Sequence, residues 1–197
     1  MSLKYAIALS GGIASGKSTV ASLLKLYGYY VVCADTIAHN VLEQNTKAVV
    51  EAFSEEILDD GGKINRKKLG EIVFSNAVLR KELEAILHPK IKAEILKEAQ
   101  KEESKKIPYF IDIPLFFETN SYPIAYSLLI TTTQELQIQR LKQRNGMSEE
   151  EALKRINAQM PLDKKRNLAT FVIENCGSLQ ALQEQLEKYL QQHLPRF

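Results

Sequence analysis

Residues 11–18 read Gly11-Gly12-Ile13-Ala14-Ser15-Gly16-Lys17-Ser18, a full match to G-x-x-x-x-G-K-[ST]. No other stretch restricts the fold so strongly, because this loop works only where a strand ends and a helix begins. Its glycines let the backbone wrap phosphate oxygens and present successive N–H groups to them. A helix beginning near Gly16 aims the positive end of its dipole at the same anion. In such a loop Lys17 reaches the β- and γ-phosphates of a nucleotide, and the Ser18 hydroxyl ligates Mg²⁺. The flanks agree. Residues 5–9 form a short apolar run, and Val20, Leu23, Leu24 and Tyr27 recur at helical spacing up to a stop at Gly28. Residues 11–19, closing with Thr19, are therefore the expected ATP-binding set.

Four further runs read as strands: residues 29–33, 109–113, 127–131 and 171–173. Helical patterns separate them, which argues for an α/β protein with a parallel sheet covered on both faces. Residues 34–106 are far longer than the dozen or so that a strand-to-strand crossover needs. They read as helical throughout: 37–42, 48–53, 67–74, and two helices around His88-Pro89. This is an inserted helical subdomain at the carboxyl edge of the sheet, where open α/β sheets bind ligands. Residues 134–166 form a second insertion. Its span 140–166 holds eight Lys or Arg against four Asp or Glu. A break at Gly146 to Ser148 suggests a helical hairpin, and Ser148 with Glu151 matches a capping box. The expected division is a nucleotide-binding core (1–33, 107–133 and 167–197), a helical acceptor-binding insertion (34–106) and a lid (134–166). In the tail, Leu179, Leu182, Leu186 and Leu190 form one apolar stripe of a core-facing helix.

The net charge of +2 is too small to point to nucleic acid. Two cysteines, Cys33 and Cys176, sit far apart without metal-ligand spacing, as in a reducing compartment. No apolar run suits a membrane helix, and the N-terminus lacks a signal-peptide pattern, so a cytoplasmic, membrane-free protein is expected.

Among nucleotide-binding classes, a GTPase switch would need Asn-Lys-x-Asp, which does not occur; Asp59-Asp60-Gly61-Gly62 reads as a turn. A regulatory protein that only hydrolyses nucleotide remains an alternative, as does a kinase for some other small metabolite. A small-molecule kinase needs an acceptor pocket and a cover that excludes water, and the two insertions supply both. Asp112, ending the run Tyr109-Phe110-Ile111-Asp112, suits a carboxylate for Mg²⁺, although a turn residue would look the same.

Several motifs occur in order: residues 10–19, Ala34-Asp35-Thr36-Ile37-Ala38-His39, Leu87-His88-Pro89-Lys90-Ile91, Phe110-Ile111-Asp112-Ile113-Pro114-Leu115 with Glu118, and Gln139-Arg140 with Arg144. With Arg155, Gln159 and Asn175-Cys176-Gly177-Ser178, this series resembles the signature of the dephospho-coenzyme A kinase family. The resemblance implies ATP-dependent phosphorylation of the 3′-hydroxyl of dephospho-CoA, the last step of coenzyme A synthesis. It also implies a P-loop three-layer fold with five parallel strands, a helical CoA-binding domain and a mobile lid. A monomer is expected, with weak self-association left open. Asp35 would accept or orient the ribose proton, though it could equally cap the following helix. His88 and Pro89 would contact the acceptor at the start of a new helix, alongside Ile113, Pro114 and Leu115. Arg140 and Arg144, four apart on one helix face, would neutralise the transferring phosphoryl group beside Lys17, or else lie in solvent. Asn175 would read adenine through its amide. Two positions depart from the family pattern, which usually has Asp at Cys33 and at Thr170.

Overall fold

The computed structural model describes residues 3–119 and 121–194; Met1, Ser2, Asn120 and residues 195–197, including the ends of the expected core segments, lie outside them. Five strands form one parallel sheet: β1 (Leu3–Gly11), β2 (Val31–Cys33), β3 (Tyr109–Asp112), β4 (Ile124–Thr131) and β5 (Phe171–Glu174). Their order is β2-β3-β1-β4-β5. The strand that leads into the phosphate loop is thus central. Leu9 lies opposite Asp112 on one side and Leu128 on the other.

Successive strand residues face opposite sides of a sheet. On one side Ile7, Leu9, Phe110, Leu128, Ile130 and Ile173 pack with Val20 and Leu24 of α1 (Lys17–Leu26) and with Leu182, Leu186 and Tyr189 of α10 (Leu179–Gln192). The alternate residues Ala6, Ala8, Tyr109, Ile111 and Leu129 are no more than 1% exposed, so the second side is covered too. There α6 (Phe116–Thr119) packs on β1, and α9 (Leu162–Leu168) packs on β4. Three layers result, as the run of strands and helices predicts. The stripe of α10 is offset from expectation, since Leu179 is 61% exposed and Tyr189 takes the buried place. Leu179 is the first residue of the helix.

The chain divides into two compact units, one of residues up to Val32 together with those from Ala99, the other Cys33–Glu98. The second unit contains α2 (Ala34–Gln44), α3 (Thr46–Phe53), a 3₁₀ turn at Glu55–Ile57, α4 (Arg66–Ser75) and most of α5 (Ala77–Glu103). Its own apolar interior includes Ile37, Val41, Val49, Phe53, Ile57 and Leu69. It is not helical throughout: Leu58 and Ile64 form an antiparallel bridge. The intervening turn is closed by the Asp59 carboxylate, which accepts from the N–H groups of Gly61 and Lys63 at 3.0 Å.

The expectation of two helices around His88-Pro89 is wrong. α5 runs through Pro89 without a break, even though proline removes one helical hydrogen bond and crowds the carbonyl four residues back. Leu87 and Ile95, on either side of the proline, are both buried and hold the helix on its course. Pro89 therefore opens no helix, and His88 has no free helix N-terminus beside it.

Residues 134–166 contain α7 (Gln134–Asn145), α8 (Glu149–Asn157) and the start of α9, three helices in place of a hairpin. Gly146 ends α7 at a φ of 64°. Ser148 and Glu151 form the expected capping box, with Glu151 N–H donating to the Ser148 hydroxyl at 3.2 Å and Ser148 N–H to the Glu151 carboxylate at 2.8 Å.

Candidate active site

β1 ends at Gly11, and α1 starts at Lys17 without a side-chain cap and without an acidic residue in its first turn. The opening amides of a helix have no partner within it. Here their partial positive charge stays uncompensated, as an anion site requires. Between the two elements the chain turns tightly, Ser15 N–H donating to the Gly12 carbonyl at 3.1 Å. Two positive φ angles follow, 58° at Ala14 and 95° at Gly16. At Gly12 a Cβ would come within 2.9 Å of both Gln137 Nε2 and Leu162 Cδ2. The loop is therefore closely overlaid by α7 and α9.

The outer side of the loop is tied down by side chains. Gln137 Nε2 donates to the Ile13 carbonyl at 2.7 Å, Arg140 to the Ala14 carbonyl at 3.1 Å, and Asn175 Nδ2 to the Ser15 carbonyl at 2.9 Å. Ile13 N–H donates to Gln159 Oε1 at 2.9 Å. Arg140 also donates to the Asn175 carbonyl at 2.9 Å, where the Thr132 hydroxyl donates too. Of the sequence-selected residues, Arg140 and Asn175 thus meet the phosphate loop. The Asn175 amide, expected to face adenine, has its Nδ2 engaged by Ser15 and buttresses the loop. Arg144 is exposed and donates to neighbouring Asn145 at 3.2 Å.

Lys17 Nζ and Asp112 Oδ1 form an ion pair between side chains 15% and 8% exposed. Register explains the meeting, since Asp112 ends the strand beside Leu9, at the same end of the sheet as the loop. Ser18, in the first turn of α1, is exposed, and buried Ser15 has no hydrogen-bond partner for its hydroxyl. The Ile113-Pro114-Leu115 segment leaves the same end: Ile113 N–H donates to the Leu9 carbonyl at 3.0 Å, and the Ser10 hydroxyl donates to the Pro114 carbonyl at 3.2 Å. Ile113 is buried, whereas Leu115 is 42% exposed.

In the Cys33–Glu98 unit, Asp35 is exposed within the first turn of α2, and the N-cap position belongs to Cys33. Asp35 is therefore no cap, because α2 begins one residue before it. His88 and Pro89 are exposed on α5. Cys33 and Cys176 are free thiols.

Sequence reasoning missed Gln137 and the partners of Lys165. Gln137 stands three residues before Arg140, on the same helix face, and that spacing was its one available signal. Lys165 is wholly buried with its Nζ 2.6 Å from Glu118 Oε1, but the approach is not that of an aligned hydrogen bond, so charge holds the pair. The same Glu118 oxygen accepts from Met160 N–H at 3.2 Å. Nothing distinguishes Lys165 from its solvated neighbours Lys164 and Arg166 in the sequence. The Thr170 departure is a local one: Thr170 N–H donates to the Ser127 hydroxyl at 3.0 Å, and Ser127 N–H returns to the Thr170 hydroxyl at 3.1 Å, joining the middle of β4 to the residue before β5.

Among known proteins, the family model described as Dephospho-CoA kinase matches residues 5–181. A dephospho-CoA kinase of Helicobacter hepaticus is 52% identical over 192 residues, covering 96% of this chain and 93% of that protein. A solved Thermus thermophilus structure superposes with a TM-score of 0.82 at 36% identity, covering 96% of this chain and 98% of the other. The solved dephospho-CoA kinase from Campylobacter jejuni gives 0.72 at 34% identity, with coverage of 96% and 97%.

Proposed function

Since the chain belongs to the dephospho-CoA kinase family and is a kinase that phosphorylates dephospho-CoA with ATP, we propose how its residues divide that work. The phosphate loop carries the proposal: helix-start amides with no side-chain cap and no acidic residue in their own turn, with Lys17 beside them. Those amides and Lys17 would bind the ATP polyphosphate. Arg140, held on the loop's outer wall, and Arg144, one turn further along α7, would offset charge on the γ-phosphoryl group; an arginine that reaches that group accounts for about 10³–10⁵-fold in related phosphoryl transfers. Asp35 would accept or orient the proton of the ribose 3′-hydroxyl, worth about 10²–10⁴-fold. His88, Pro89, Ile113, Pro114 and Leu115 would contact dephospho-CoA, with 34–106 as the acceptor-binding insertion and 134–166 as the lid that keeps water from the phosphoryl group.

A hydroxyl and a carboxylate oxygen are the hard donors Mg²⁺ takes, so Ser18 and Asp112 would hold it. They fit as a sparse set: among the described residues no three His, Cys, Asp or Glu side chains cluster as a cage, and Mg²⁺ commonly relies on one or two carboxylates plus phosphate oxygens and water. When bound, the ion supplies neutralising charge at the β- and γ-phosphates. The enzyme would act as a monomer in the cytoplasm, a compartment that suits its two free thiols. Among the described residues no helix is long and apolar enough to cross a membrane.

The deciding experiment supplies purified protein with Mg-ATP and dephospho-CoA and follows CoA by mass. Stoichiometric CoA and ADP are expected. ADP released without acceptor would favour a regulatory hydrolase, and turnover only with another alcohol would reassign the acceptor.

A further inference from the structure

The hydrogen bonds on the outer side of the phosphate loop follow a pattern. Three consecutive carbonyls, those of Ile13, Ala14 and Ser15, each accept a side-chain donor, from Gln137, Arg140 and Asn175. In a planar trans peptide, the carbonyl of one residue and the N–H of the next point in opposite directions. Fixing these carbonyls against protein turns the N–H groups of Ala14, Ser15 and Gly16 the other way. That of Ser15 closes the turn onto Gly12, while those of Ala14 and Gly16 meet no protein acceptor among the described residues. They are left to an anion.

Ile13 is held twice, because its own N–H donates to Gln159 Oε1 at 2.9 Å. Gln137 lies near the start of segment 134–166 and Gln159 near its end, so both stems of that segment close on one loop residue. The two amides have opposite tasks: Gln137 must donate to a carbonyl and Gln159 must accept from an N–H. Gln137 is 2% exposed, and a polar group that deeply buried is costly unless it is bonded.

We propose that Gln137 and Gln159 are positioning residues for ATP, clamping the two peptide groups that meet at Ile13 so that the amides after it face the polyphosphate. The proposal rests on the nucleotide reading of the loop, and both residues act through Ile13, without touching phosphate themselves.

The test titrates Mg-ATP, inorganic tripolyphosphate and dephospho-CoA separately into the full chain by calorimetry. Methionine matches glutamine in length and flexibility but lacks its amide, so the variants are Gln137→Met and Gln159→Met. Each is expected to weaken ATP and tripolyphosphate by the same factor, about 3- to 10-fold for one lost hydrogen bond, with dephospho-CoA affinity within about twofold of wild type. The double variant should lose less than the product of the single losses, since the two bonds hold adjacent peptide groups of one residue, Ile13. Gln159 is only partly buried, so its variant decides the matter if Gln137→Met does not fold. Folded variants that bind ATP like wild type overturn the clamp. So does an equal loss for dephospho-CoA, which marks a general loss of structure, or a loss for ATP without one for tripolyphosphate. A wild-type protein that binds Mg-ATP yet makes no CoA would fail the acceptor assignment and leave the clamp to be judged on these affinities. Failure of wild type to bind either polyphosphate would overturn both.

Discussion

Asp35 is exposed in the first turn of α2, where a carboxylate gains only about 0.3–1 kcal/mol from the helix dipole. Asp35→Asn should therefore fold and bind ATP normally. As a proton acceptor its loss should lower turnover at least about 10²-fold, read by steady-state kinetics beside an ATP titration; near-normal turnover removes it from the mechanism. Lys165 tests structure instead of chemistry. With Nζ wholly buried against Glu118, Lys165→Met would strand a mostly buried carboxylate, at a cost of about 3 kcal/mol, the low end for a broken buried pair because part of Glu118 reaches solvent. Adding Glu118→Gln keeps an acceptor for Met160 N–H and should recover most of that loss in urea unfolding. Additive losses would mean the two charges do not communicate. Lys17 and Ser18 were legible in the sequence because a phosphate loop is built from eight consecutive residues. Gln137 and Lys165 were not, since their partners lie on other elements and a glutamine or lysine has the same local preferences buried or solvated.

The same contrast holds for elements. The capping box of α8 lies within four residues, so its sequence suffices to locate it. The break expected at Pro89 came from an equally local rule, and there burial of Leu87 and Ile95 prevailed over the proline. α9 was missed because it has only seven residues, LDKKRNL, too short and too charged for a periodic signal. Proline in a helix interior costs up to about 3 kcal/mol. Pro89→Ala should then raise stability by about 1–3 kcal/mol in denaturant unfolding, with the restored N–H able to donate to the Ala85 carbonyl. A drop in stability would show that the α5 backbone has settled into a shape only proline suits. If His88 and Pro89 contact dephospho-CoA as proposed, the same variant should raise the KM for dephospho-CoA and leave that for ATP unchanged.

For the whole molecule, alternating strands and helices were enough to read a parallel sheet, but no strand sequence marks its neighbours, and the order β2-β3-β1-β4-β5 is a property of the crossovers. Nucleotide should stabilise the unit that holds the loop. At a hundred times its Kd, Mg-ATP adds about 2.7 kcal/mol, which for a domain of this size raises Tm by about 5–10 °C; a melting curve indifferent to Mg-ATP would contradict the site. The central place of β1 also governs how the protein is made. Leu9 needs Asp112 on one side and Leu128 on the other, and a ribosome adds about 5–20 residues per second. β1 leaves the exit tunnel ahead of both neighbours and thus waits on the order of ten seconds for them to be synthesised. Until then this apolar strand is a guest awaiting its seat, a segment that a nascent-chain chaperone has reason to shelter.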